Sequence, residues 1–168
     1  RKTHQLCIGA ERVYWPDFLF VQNLNMKQHT LNQLSERCRF AIPAHASFTK
    51  GYQVSDMALL SNYRLLEVVN PYGNAFAHWD MALSNGHRVY AIGDDDTHDI
   101  TQASEVCHNL TMINTPSLEA ERVYEALDKG LCYAVEFDNW YHFPMTLGEK
   151  AQQARALPHL TRAELLES

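Results

Sequence analysis

Three short stretches carry residue types that can hold cations. "AIGDDDTHDI" (91–100) sets Asp94, Asp95, Asp96, His98 and Asp99 directly after an apolar run, "FAIPAH" ends in His45, and "THQLCIG" carries His4. Imidazole nitrogen and carboxylate oxygen suit divalent transition metals such as zinc and manganese, and a carboxylate can bridge two cations. Strand side chains alternate, so an Asp-x-His pair leaving a strand sends Asp96 and His98 to one face. Asp95 then faces away, as an acceptor that orients a ligand. Three consecutive acids repel one another in a compact turn unless a cation or hydrogen bonds compensate them. Each stretch also has a plainer reading. Asp-x-His is common in surface loops, where Asp forms turns and His is solvated, and a strand-end histidine such as His45 commonly bonds nearby backbone. The three stretches together favour the metal.

The remaining chemistry is sparse. His78, beside Trp79 on a predicted helix, reads as packing or rim, whereas His29, His87, His108, His142 and His159 lack partner spacing and read as solvated or locally bonded. Cys7 follows His4 by three residues, but its apolar neighbours make it a buried, inert thiol. The seven glycines are scattered, and there is no nucleophile elbow, phosphate-binding glycine loop or dinucleotide fingerprint.

The elements that must position these groups alternate along the chain, the pattern of α/β architecture with a largely parallel sheet. Strands are predicted over 5–10, within "RFAIPAH", over 64–70, within "RVYAIG", over 110–114 and within "LCYAVEF". Helices are predicted over 27–37, in a short stretch capped by Ser55 with Met57, Leu59 and Leu60, over 76–85 ending at Gly86, and over 118–129 ending at Gly130. In a parallel sheet, residues just past the carboxyl ends of strands converge on one face, which brings His45, Asp96 and His98 together. His4 precedes its strand and joins them only if that strand runs antiparallel or begins at the site face.

With 168 residues and 46% hydrophobic content, the chain is long enough for one core. We place the domain over 1–138 and a peripheral tail over 139–168. A net charge of -6 disfavours long nucleic acid as a partner, because neutralising phosphates needs clustered Lys and Arg. Four scattered cysteines without a CxxC pair read as free thiols, and no apolar run approaches the ~20 residues of a membrane span, so a cytoplasmic location is expected. The chain opens at Arg1 and runs almost at once into the apolar "LCIGA", which predicts a start within an element of a longer protein.

The order of motifs resembles the PHP family, the polymerase and histidinol phosphatase metal-dependent phosphoesterases, from about Thr3 to Phe137. The strongest part is "LLEVVNPYGNAFAHWDMALSNGHRVYAIGDDDTHD", similar to a family stretch of Glu-Val-x-Asn strand, Trp-Asp helix, Leu-Ser-x-Gly helix end and a strand closing on Asp-x-His. "RVYEALDKGLCYAVEF" is similar to a second, downstream segment. The resemblance implies a distorted (β/α)7 barrel of TIM type whose N-terminal part is not in this chain. It implies two or three divalent cations (Mn, Zn, Fe or Mg) in the complete protein. By position, "PAH" makes His45 a ligand, "DTH" gives Asp96 and His98 as ligands and catalytic residues, and "THQLCIG" makes His4 a further ligand. The family's first motif, His-x-His, has no counterpart here, nor has the second-motif Glu; Glu11 follows His4, whereas the family's Glu precedes its histidine.

The expected activity is therefore hydrolysis of a phosphate ester by metal-activated water, with a small phosphorylated substrate or a nucleotide as partner and no membrane. Two rivals share these residues: a degenerate barrel that binds a ligand or partner without catalysis, and metal-dependent C–N hydrolysis on a related scaffold.

Overall fold

The computed structural model describes residues 2–16, 21–102 and 105–137. Their order is β1 (His4–Ile8), α1 (Leu24–Ser35), β2 (Phe40–Ala44), β3 (Leu65–Val69), α2 (Phe76–Ser84), β4 (Tyr90–Gly93), β5 (Asn109–Ile113), α3 (Ala120–Lys129) and β6 (Cys132–Glu136), with short 3-10 helices over Phe48–Lys50 and Val54–Ala58 between β2 and β3. The tail predicted over 139–168 lies outside the described residues, as do His142 and His159.

The (β/α)7 barrel expected from the resemblance is not formed. The described strands make three two-stranded sheets, β1 with β2, β3 with β4 and β5 with β6, and no barrel closes. Only β3 and β4 are parallel; they form one β-α-β unit around α2, which supplies the crossover that a parallel pair needs. The other two pairs are antiparallel, and this interrupts the strand–helix repeat from which a barrel is built. Between β1 and β5 lies a cleft of about 610 Å³, with Leu6 and Ile8 on one side, Leu110 and Ile113 on the other, and Asp94 to Asp96 in its lining.

Every residue of β2 and β3 is buried, as continuous apolar runs between two layers require. One core cluster gathers Leu31 of α1, Met57 and Leu60, Leu66 and Val68 of β3, and Ala82 of α2. A second lies around Phe40, Ile42, Leu65, Ile92 and Leu127 of α3. The Asn23 side chain caps α1 by accepting the Met26 N–H at 3.0 Å. The predicted cap Ser55 falls inside a 3-10 helix instead. There Gln53 precedes the helix, and its N–H donates to Asp56 Oδ2 at 2.8 Å. Asp56 also takes Lys27 Nζ at 2.6 Å in a largely buried ion pair, which ties α1 to this turn. No helix among the described residues is long and apolar enough to cross a membrane.

Candidate functional site

β1 runs antiparallel to β2 with His4 opposite Ala44, which meets the condition under which His4 reaches the end of β2. His4 Nδ1 lies 3.0 Å from His45 Nε2, the two rings edge to face. The same nitrogen, His45 Nε2, is 3.9 Å from Asp96 Oδ2 in the loop that leaves β4. Burial holds the His45 imidazole below its ordinary pKa, against the upward pull of Asp96. His45 is therefore neutral near pH 7, with the lone pair that a metal or proton requires.

His98 is not drawn into this group. Its side chain is exposed, and its backbone N–H donates to Glu105 Oε2 at 3.2 Å. The alternation that would align Asp96 with His98 needs an extended strand, but β4 ends at Gly93 and Asp96 sits at φ 49. The loop is a chain of tight turns: Asp94 Oδ1 accepts the Asp96 N–H at 2.6 Å, and Asp99 Oδ1 accepts the Thr101 N–H at 2.9 Å. Asp94 and Asp99 are thus turn formers, as their residue type predicts.

Asp95 acts on the backbone of its loop rather than on a neighbouring side chain. Its carboxylate accepts the backbone N–H groups of Cys107, of His108 at 2.8 Å and of Asn109 at 2.6 Å, clamping the loop to the start of β5. Hydrogen bonds to a charged acceptor are each worth about 1.5–3 kcal/mol. Water can replace part of the three bonds in this half-buried loop, so Asp95→Ala should lower stability by at least about 2 kcal/mol and speed amide exchange at Cys107, His108 and Asn109; unchanged exchange at these three amides would show that the clamp is not stabilising.

The residue missed from sequence is Glu67, in the middle of β3. It is only 2% exposed. One carboxylate oxygen accepts the His45 N–H at 2.7 Å and the other accepts the Asn70 side-chain amide, so the loops after β2 and β3 hang on one group. Burial pushes its pKa up to about 7, although both donors favour the ionised form. The signal in the sequence was a carboxylate between Leu66 and Val68 in an otherwise apolar run, since a charge buried on both faces requires dedicated partners. His45 and Asp96 are also two of the non-glycine residues at positive φ, 31 and 49, a conformation that costs free energy and recurs at functional sites.

The other histidines among the described residues have local partners. His78 is buried and pairs its Nε2 with the Tyr52 carbonyl at 3.2 Å, and His87 Nε2 lies 3.0 Å from the Ala58 carbonyl. His29 is 3.3 Å from the Tyr14 hydroxyl. His108, expected to be solvated or locally bonded, is buried, and its backbone N–H is held by Asp95. Burial raises the Cys7 thiol above its ordinary pKa and Cys38 to about 12, so both are inert as nucleophiles, as expected for Cys7.

Two ligands on one tetrahedral zinc, each at about 2.1 Å, lie about 3.4 Å apart. His4 Nδ1 and His45 Nε2, at 3.0 Å, are hydrogen-bonded and closer than that edge, so they would have to part slightly to share a cation; the donor types, two imidazoles and a carboxylate, suit a divalent transition metal. The third donor is not closed in: among the described residues no three His, Cys, Asp or Glu side chains are grouped so that they could hold a metal ion. The fit is that of a pair with a third group nearby. No protein-family model, curated protein or solved structure matches the chain.

Proposed function

We propose that the chain carries part of the site of a metal-dependent phosphoesterase related to the PHP family. The observation that carries this reading is the approach of His4 Nδ1, at 3.0 Å, and of Asp96 Oδ2, at 3.9 Å, to the same nitrogen, His45 Nε2. His4 and His45 hold the cation, Asp96 is the adjoining carboxylate, and His98, two residues further along the same loop, is the candidate for an additional ligand. A divalent cation there supplies positive charge that polarises the phosphoryl group and acidifies water near neutral pH. The chain's own residues supply geometry. Glu67 fixes the backbone of His45 from behind, and Asp95 anchors the loop that presents Asp96. The four free thiols suit a reducing compartment, the cytoplasm.

The test is turnover of a phosphate ester by protein supplied with Mn²⁺ or Zn²⁺. His45→Ala and Asp96→Ala should each lower it by no less than the roughly 10–100-fold lost when groups that merely orient ligands are removed. Undiminished turnover in both variants would sink the assignment, and amidase activity without phosphatase activity would favour C–N hydrolysis.

A further inference from the structure

The loops that leave β2 and β3 each present an aromatic ring close to His45. Phe48 and Tyr72 lie against each other with centroids 5.0 Å apart and planes tilted by 32°. Phe48 also meets the His45 ring edge to face at 5.5 Å. Core packing would bury such rings, yet Phe48 is 38% and Tyr72 51% exposed.

Their positions are fixed by polar bonds rather than by burial. The Phe48 N–H donates to the His45 carbonyl at 2.8 Å, and the Tyr72 N–H donates to Asn70 Oδ1 at 2.8 Å. Ser47 Oγ donates to the Gly73 carbonyl at 2.7 Å and ties one loop to the other. Gly73 permits this tie: its φ is 142, and a Cβ there would press on Ser47 Oγ. Both loops are further held by Glu67, through His45 and Asn70. An exposed pair held this firmly loses little freedom when a ligand covers it.

We propose that Phe48 and Tyr72 form a stacking platform for a nucleobase, so that the site takes a mononucleotide with its phosphate toward His4, His45 and Asp96. The phosphate end of this proposal rests on the phosphoesterase reading; the base end rests on the rings alone. Every nucleobase has a π-face, whereas sugar phosphates and alkyl phosphates have none. The net charge of -6 favours a single nucleotide over a long strand.

The experiment is calorimetric titration of the full chain, in Mn²⁺, with adenosine 5′-monophosphate, ribose 5-phosphate and adenosine. Stacking predicts that the nucleotide binds roughly 5- to 100-fold more tightly than the sugar phosphate. Phe48→Ala and Tyr72→Ala should each remove most of that preference and leave ribose 5-phosphate binding unchanged, while Phe48→Tyr should retain it. Both rings are exposed, and thermal unfolding verifies that the variants fold. Equal affinity for the two phosphates, a preference that survives both truncations, or no binding of any ligand would overturn the platform. Adenosine binding that depends on both rings, in a chain that turns over no phosphate ester, would overturn the phosphoesterase reading and leave the platform standing.

Discussion

Replacing Glu67 by Gln should remove a contribution to stability that is lost as pH rises through about 7. In the folded chain Glu67 keeps its proton up to about pH 7, against an ordinary 4.5 in the unfolded chain. The contribution of this group is therefore complete below pH 4.5 and is lost as pH rises through 7, and the difference corresponds to about 3 kcal/mol. The buried histidines act in the opposite sense. Burial lowers His45 and His78 below 6.5, so their contribution is present above 6.5 and is lost as pH falls below it. In the native chain the two trends run against each other; in Glu67→Gln the falling one is removed and the histidine trend remains. The substitution also places an amide N–H against one of the two donors that the carboxylate accepted, at a cost of about 1–3 kcal/mol. Urea denaturation of metal-free protein at intervals from pH 4.5 to 8 measures both effects. Parallel pH profiles for the two proteins would show that Glu67 is ionised throughout.

The second large effect is expected far from the site. Gly130 ends α3 at φ 70, a conformation that costs an L-residue roughly 1–2 kcal/mol. A Cβ at Gly130 would in addition overlap the ring atoms of Tyr90, the first residue of β4. That ring packs on the second core cluster and cannot swing away freely. Overpacking of this kind adds about 1–3 kcal/mol, so Gly130→Ala should cost about 3 kcal/mol. In a Tyr90→Ala background the cost should fall to that of the backbone alone, about 1 kcal/mol, and the coupling is read directly from a double-mutant cycle of urea midpoints. An equal cost in both backgrounds would place the whole penalty in the backbone.

Much of this arrangement was legible from local pattern. The apolar runs of β2 and β3, the helical spacing of Leu31 and Leu34, and the glycine after Lys129 identify elements within a few residues of their observed ends, because each signal is contained in the segment that produces it. Strand direction is a property of pairs. Nothing within "HQLCI" states that β1 pairs antiparallel to β2, and the same ambiguity let an alternating α/β order suggest a largely parallel sheet, where among the described strands β3 and β4 alone pair in parallel. At the site, His4, His45 and Asp96 could be named from residue type. The separation of Asp96 from His98 could not, because it depends on the positive φ at Asp96 and on Glu105 drawing the loop backbone aside. Asp95 and Glu67 were misread or missed for a shared reason: their partners are backbone N–H groups, which every residue possesses and no motif displays.

The left-handed backbone at His45 and Asp96 sets stability against retention of the site. Glycine or asparagine would relax both positions, so selection for heat resistance alone would drift toward those residues there. Such drift would dismantle the group of His4, His45 and Asp96 proposed to take a cation while leaving the surrounding sheets intact. Persistence of histidine and aspartate at positions 45 and 96 through rounds of neutral mutation would then be a record of function, written against the preference of the chain itself.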